Sequence, residues 1–513
     1  MTAAIGRGTN GEARQGHRLL ARRLGVETQH EAIVFMHRDC PVCRSEGFVA
    51  RAQIELHTNG RSALATLFQV TSALLAPGEV GLSEVVWRAL GAEDGDEIKV
   101  RHPQPLASMS AVRAKVYGHR LGLDRLRAII DDIVAERYSD VQLAAFITAF
   151  ASQPPDVAEV TSLTRAMVEV GDRLAWPGDV IVDKHCVGGL PANRTTPIVV
   201  AIAAAAGLTI PKTSSRAITS PAGTADTMET MAPVDLDLAA MRRVVDREGG
   251  CIVWGGSVAL SPADDILIRV ERTLDLDSDA QLVASVLSKK LAAGANHVLL
   301  DLPVGPTAKI RTAQGAEELG RQLVAVGARF GLKVHPMVTD GRQPVGRGIG
   351  PALEARDVLA VLRNDPAAPT DLRARAVTLA GALLELGGSE GTGAGIARAA
   401  ALLNSGRALA KFMAICDAQG GFREPQTAPL TQVITAPRSG RVAAIDNRLL
   451  SRVAKLAGAP QARTAGVDLH VKLEDPVERG APLITLHGES RGEIEYARAF
   501  ADANPDIVRI VPR

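Results

Sequence analysis

Aromatic side chains are scarce in this chain: three Trp, three Tyr and nine Phe make up 3% of its 513 residues. So thin a supply excludes the stacking platforms that hold single-stranded nucleic acid. Charge of one sign is equally absent, with 58 Lys and Arg against 57 Asp and Glu and a formal net charge of +1. A general polyanion-binding surface is excluded with it, so any recognition of phosphate has to be local. No run reaches the roughly 18 apolar residues of a membrane helix, and no opening segment joins a basic start to an apolar core. The expected compartment is therefore the cytoplasm, and neither a membrane nor a nucleic acid is an expected partner. Cys40, Cys43, Cys186, Cys251 and Cys416 are an odd number in a long chain and do not read as a disulfide framework. The lone C-x-x-C at Cys40 and Cys43 has only His30 and His37 near it, short of the four ligands zinc wants, so structural thiols and no metal site are expected. A Gly-x-x-x-x-Gly-Lys-Ser/Thr loop is also missing, which removes P-loop kinases.

What the chain has is length and apolar content, 46% of residues, enough for about three domains with large cores. The richest stretch runs from Val180 to Met231. Val180–Val182 reads as the end of a strand that breaks at Asp183-Lys184-His185 into a Gly188-Gly189 loop. Thr195 or Thr196 as N-cap, Pro197 in the first turn and Gly207 past the end then punctuate a helix over Ile198–Ala206. The same logic repeats: Leu208–Pro211 as a strand, a loop dense in hydroxyls from Thr213 to Ser220, and a helix from about Ala225. Gly, Ser and Thr also serve merely to turn and cap a chain. Two such loops in succession, each with an embedded cation, Lys184 and Arg216, and each opening a helix N-terminus, favour a phosphate site.

These residues resemble the thymidine and pyrimidine-nucleoside phosphorylase family. The resemblance rests on Asp183-Lys184-His185 with Gly188-Gly189, on Ser214-x-Arg216, and on Thr224 ten positions after Ser214. The fuller wording, Thr195-Thr196-Pro197 and Ser215 to Asp226, is nearest the long branch of that family, which holds archaeal AMP phosphorylases and bacterial proteins classed as thymidine phosphorylases. It implies phosphate ligands at Lys184, Gly189, Thr195, Ser214 and Thr224. Nucleoside or nucleotide contacts are implied at His185, Ser215, Arg216, Ala217, Ile218, Thr219, Ser220, Ser285, Lys289 and Lys309. Arg269 is the nearest residue to the family's base-reading arginine, and Asp277 matches a proposed proton donor, so Asp277, His185 and Lys184 form the implied catalytic set. An Asp starts from a pKa of about 3.9, so acid catalysis near neutrality would need burial or like charge to raise it. Cys186 stands where the short branch has a phosphate-binding Ser.

The implied reaction is reversible phosphorolysis: thymidine and phosphate give thymine and 2-deoxy-α-D-ribose 1-phosphate, with phosphate as co-substrate and no cofactor. A nucleoside 5′-monophosphate phosphorylase producing ribose 1,5-bisphosphate is the alternative. A phosphoribosyltransferase, needing pyrophosphate and Mg²⁺, is a third reading that Asp183-Lys184-His185 fits poorly. A homodimer or higher homo-oligomer is the expected assembly.

In chain order, residues 1–28 read as a mobile leader and 29–103 as a β-barrel-like domain in which Ser62–Leu75 is a strand pair or short helix. An all-α domain spans 104–171, completed by 257–294, where Trp254–Asp265 reads as a loop. Alternating strands and helices at 172–256 and 295–422 predict an α/β domain with a mostly parallel sheet covered on both faces. Residues 423–513 read as a β-rich terminal domain of the pyrimidine-nucleoside phosphorylase kind. Ser285 and Lys289, four apart on a helix, share a face.

Overall fold

The structure is a computed structural model that describes residues 18–217, 220–258, 260–274, 276 and 278–512. After Ala107 the chain passes from one compact unit to a second. In the first, six strands, β1 (Arg18–Arg23), β2 (Ile33–His37), β3 (Gln53–Thr58), β4 (Arg61–Val70), β5 (Glu79–Leu82) and β6 (Glu97–Arg101), close a barrel in the order 1-5-2-4-3-6. Alternation puts Leu19, Ala21, Ile54, Leu56, Ile98 and Val100 inside. The β3–β4 hairpin turns on Asn59-Gly60, both with positive φ, the pairing a tight hairpin favours. Two short helices, α1 (Pro41–Glu46) and α2 (Glu84–Leu90), complete this unit. Cys40 and Cys43 are buried in its core; the Cys43 thiol lies 3.9 Å from the Met36 sulfur, and contact with Cys40 together with burial pushes its pKa up.

Two readings of this region need correction. Residues from Arg18 onward are not leader: β1 pairs in parallel with β5 and antiparallel with β6. Its sequence, Arg-Leu-Leu-Ala-Arg-Arg, buries only Leu19 and Ala21, too short an alternation to stand out. Residues 61–70 form one long strand paired on both sides, neither a strand pair nor a helix.

The second unit begins with α3 (Met109–Val116), α4 (Leu123–Val134), α5 (Asp140–Ser152) and α6 (Val157–Glu169). Ser139 and Gln142 form a reciprocal capping box at the start of α5. Next come β7 (Val182–Cys186), α7 (Thr196–Ala205), β8 (Ile210–Ser214), α8 (Thr224–Glu229), α9 (Leu238–Glu248) and β9 (Gly250–Trp254). They are followed by α10 (Pro262–Leu274), α11 (Asp279–Ala292), β10 (His297–Val304), α12 (Ala313–Ala328) and β11 (Lys333–Asp340). Strands β11, β10 and β7 form one parallel sheet and β8 and β9 another, joined by a parallel bridge between Ile181 and Thr209. The spatial order is thus 11-10-7-8-9. The chain grows from β7 outward to β9, then crosses back to β10 on the other side of β7.

Both faces are covered, as expected. Along β10, Leu299 joins the core containing α7, while Val298, Leu300 and Leu302 join the core containing α11 and α12. Helix α7 is apolar all round, and Ile198 to Ala203 are fully buried. Residues Trp254–Asp265 are not one loop: α10 starts at Pro262, and its polar first turn, with Asp264 and Asp265, hid the helix.

The remainder is β12 (Gly348–Ile349), α13 (Pro351–Leu362), α14 (Thr370–Leu386), α15 (Gly395–Asn404) and α16 (Arg407–Ala418), then a β-rich region. That region holds β13 (Leu430–Thr435), β14 (Gly440–Ile445), α17 (Asn447–Leu456), β15 (Gly466–Leu469), β16 (Pro476–Val477), β17 (Pro482–Gly488), α18 (Arg491–Ala503) and β18 (Val508–Val511). With β12 it makes two antiparallel sheets, 12-15-17-13 and 16-14-18. No helix among the described residues is long and apolar enough to cross a membrane.

Candidate active site

The strand order reverses between β10 and β7, and in an open parallel sheet the crevice outside the carboxyl ends at such a switch point is where ligands collect. The loop after β7 and the loop after β10 meet there. Gly189 has φ +77°, and a Cβ on it would stand 2.3 Å from the Lys309 backbone nitrogen, so both backbone angle and contact require glycine.

Strand β7 does not end at Val182. It runs through Asp183, Lys184, His185 and Cys186, each in parallel register with β10, where Cys186 faces Asp301. Polar side chains stay in a buried strand because each finds partners. The fully buried Lys184 ammonium donates to Thr195 Oγ1 at 2.8 Å and Thr196 Oγ1 at 3.4 Å, and lies 3.8 Å from Asp301. Asp183 accepts from Lys290 at 2.7 Å and lies 3.3 Å from Lys212. Three buried lysines, Lys184, Lys212 and Lys290, thus face two buried aspartates, Asp183 and Asp301. Burial, with Lys212 close by, holds Lys290 below its ordinary pKa despite the pull of Asp183. The imbalance suits an incoming anion.

The backbone of the loop after β7 is itself unusual: Ala192 and Asn193 both have positive φ, uncommon for residues with a Cβ. The turn is held where Asn193 N donates to Val345 O, while its side-chain amide donates to Asp301 at 3.2 Å and Cys186 Sγ at 3.5 Å. Buried Asn193 Oδ1 and Ser214 Oγ, at the end of β8, have no hydrogen-bond partner among the described residues. Burial, then Asp301, pushes the Cys186 thiol up to about 12, so it is no thiolate nucleophile near neutrality. The half-buried His185 has its pKa held well below the usual value, first by burial and then by Lys290, Lys212, Lys289 and Lys184, and is therefore neutral.

The second loop is organised by Asp226, whose Oδ2 accepts from the backbone of Ala217 at 2.6 Å and Gly223 at 2.8 Å. A Cβ at Gly223 would come within 2.5 Å of the Arg216 carbonyl carbon, which fixes that glycine. The Ser215 backbone carbonyl accepts from Ala225 N, and Ser220 Oγ donates to Ala222 O. Arg216 is committed to carboxylates: it donates to Glu229 at 2.7 and 3.1 Å and to Asp226 at 3.3 Å, and stacks 4.8 Å from the Trp254 ring centre. Ile218, Thr219 and Asp277 lie outside the described residues.

Ser285 and Lys289 share a face of α11 as expected, and the structure joins that helix to β7. Lys289 Nζ is 2.5 Å from buried Asp264 on α10, while its neighbour Lys290 bonds Asp183, the neighbour of Lys184. Arg269, on α10, reaches Asp140 at the start of α5 at 3.3 Å. Sequence reading passed over Asn193, Arg194, Lys212, Lys290, Asp301 and Glu354. Asn193-Arg194 directly before Thr195-Thr196 was the one available signal, since a cation in a loop that opens a helix N-terminus merits notice.

Similarity to known proteins agrees with this geometry. Two family models match: the helical bundle domain of a glycosyl transferase family over residues 109–171, and its a/b domain over 178–409. The chain is 62% identical over 493 residues to "Putative thymidine phosphorylase 1" of Acidovorax sp. strain JS42, covering 96% of each chain. This chain belongs to the thymidine phosphorylase family. A second relative, "Putative thymidine phosphorylase" of Polaromonas sp. strain JS666, is 59% identical over 495 residues, covering 96% of this chain and 97% of the relative. Among solved structures, anthranilate phosphoribosyltransferase from Thermus thermophilus aligns with 60% of this chain and 99% of its own at 20% identity and a TM-score of 0.50, a likeness of fold. The α/β architecture with a small helical domain is therefore the family's, and membership makes the chain a pentosyl-transferring glycosyltransferase.

Proposed function

We propose that the chain is a nucleoside phosphorylase of the thymidine type, converting thymidine and phosphate to thymine and 2-deoxy-α-D-ribose 1-phosphate. The observation that carries this reading is the buried Lys184 ammonium at the switch point, bonded to Thr195 and set among more lysines than aspartates. In this scheme a phosphate oxygen forms a bond to C1′ as the C1′–N bond breaks, the bonding pair goes to the base nitrogen, and that nitrogen takes up a proton. Phosphate is already an anion, so positioning and electrostatics supply most of the help. Lys184, the backbone at Gly189, Thr195, Ser214 and Thr224 would hold phosphate. Thr195 suits the task, because its oxygen accepts from Lys184 and its own proton is left for the ligand. Neutral His185 would contact the base without adding charge, together with Ser285, Lys289 and, at the α-domain side, Arg269. Asp277 would donate the proton. The scheme calls on phosphate alone besides the nucleoside.

A nucleoside 5′-monophosphate is the second reading, with Ser215–Ser220 and Lys309 receiving the 5′-phosphate. The commitment of Arg216 to Glu229 and Asp226 weighs against it, since the cation of that loop is already neutralised. Base release should be measured with thymidine, uridine, cytidine, adenosine and their 5′-monophosphates, with and without phosphate. Phosphate-dependent release from thymidine or uridine is expected; release from monophosphates alone would move the protein to the second reading.

A further inference from the structure

Arg194 is claimed by none of the roles above, yet its side chain is tied to both loops and to α13. It is 13% exposed and spends three nitrogens: Nε donates to Glu354 Oε2 at 2.6 Å, one terminal nitrogen to Thr224 Oγ1 at 2.6 Å, and the other to the Ala222 carbonyl at 2.8 Å. Glu354, fully buried at the start of α13, also accepts from Thr227 Oγ1 at 3.2 Å. One guanidinium therefore links the first loop, the second loop and α13. A planar fork with donors on three sides can do this, and a lysine cannot.

The polarity of the Thr224 bond has a consequence. A hydroxyl has one proton and two lone pairs. Its oxygen accepts from an always-charged arginine, so the O–H is kept as a donor for whatever occupies the site. Thr195 is treated the same way by Lys184. We propose that Arg194 is a positioning residue of the phosphate site: through Thr224 and Ala222 it sets the second loop against the first and fixes the Thr224 hydroxyl as a donor to phosphate. Glu354 anchors Arg194 in that pose. This rests on Lys184 and Thr224 binding phosphate.

The test is calorimetric titration of the full-length protein with inorganic phosphate, which needs no turnover. The proteins compared are wild type, Lys184→Ala, Arg194→Met, Arg194→Lys, Thr224→Val and the Arg194→Met/Thr224→Val double variant, each checked for the wild-type circular-dichroism spectrum. Arg194→Lys keeps a cation beside Glu354 and guards against a folding defect in Arg194→Met. Loss of one charge-assisted bond should weaken phosphate binding about tenfold in Arg194→Met. Arg194→Lys should recover little of it, and Arg194→Met should add almost nothing once Thr224 is Val. In turnover, the phosphate KM should rise while the nucleoside KM holds. Wild-type binding that depends on Lys184 but not on Arg194, or equal losses for Arg194→Met with and without Thr224→Val, would overturn the proposal and leave the site reading intact. Phosphate binding indifferent to Lys184→Ala would remove both.

Discussion

Lys184 and Glu354 show what burial does to a charge in this protein. Lys184 keeps company with Thr195, Thr196 and Asp301 in a position with no solvent exposure, so an anion arriving there meets a desolvated ammonium. Glu354 is buried as deeply, and desolvation raises its pKa from 4.5 to about 7 in spite of Arg194 and Thr227. A carboxyl whose folded pKa is raised holds its proton after the unfolded chain has released it, so folding stability falls as pH rises from about 4.5 to about 7. Glu354→Gln should flatten that part of the profile in chemical denaturation at pH 5, 6 and 7; an unchanged slope would show that Glu354 does not titrate there. Residue chemistry of this kind is only half legible in sequence. Lys184, Thr195 and Ser214 stood out by wording, whereas Arg194 and Glu354 meet from positions 160 residues apart.

At the scale of elements, β7 ties the parts together. The sequence reading ended it at Val182 because Asp, Lys and His are poor strand formers, but pairing with β10 and the partners Lys290, Lys212 and Thr195 override local preference. Helix α11 is bound to β7 by Lys290 and to α10 by Lys289, so adjacent residues of one helix turn face the parallel sheet and the α domain. Removing one side of a buried ion pair leaves the other uncompensated, so Asp183→Asn should cost about 3–5 kcal/mol of stability in denaturant melts. A loss below about 1 kcal/mol would mean that Lys290 is already neutral and that the pair is weak. Helices with clear caps, α5 and α7 among them, were readable from sequence. Helix α10, whose first turn carries two aspartates, and strand β1, with four exposed positions in six, were not.

For the whole molecule, alternation of strand and helix was enough to foresee a parallel sheet covered on both faces. It did not foresee the order 11-10-7-8-9, because nothing local says on which side of β7 the chain returns. That crossover creates the crevice in which Gly189 meets Lys309; Lys184 lies on β7 and Ser214 ends the next strand, β8. On the proposed reading, inorganic phosphate is the attacking group. The most direct check follows thymidine by ³¹P NMR with inorganic phosphate present or omitted, for wild type and Lys184→Ala. A new sugar-phosphate resonance that matches thymine release, needs phosphate and drops at least about a hundredfold in rate in Lys184→Ala is the expected result. Thymine release without phosphate, or a sugar phosphate formed as fast by Lys184→Ala as by wild type, would contradict the account.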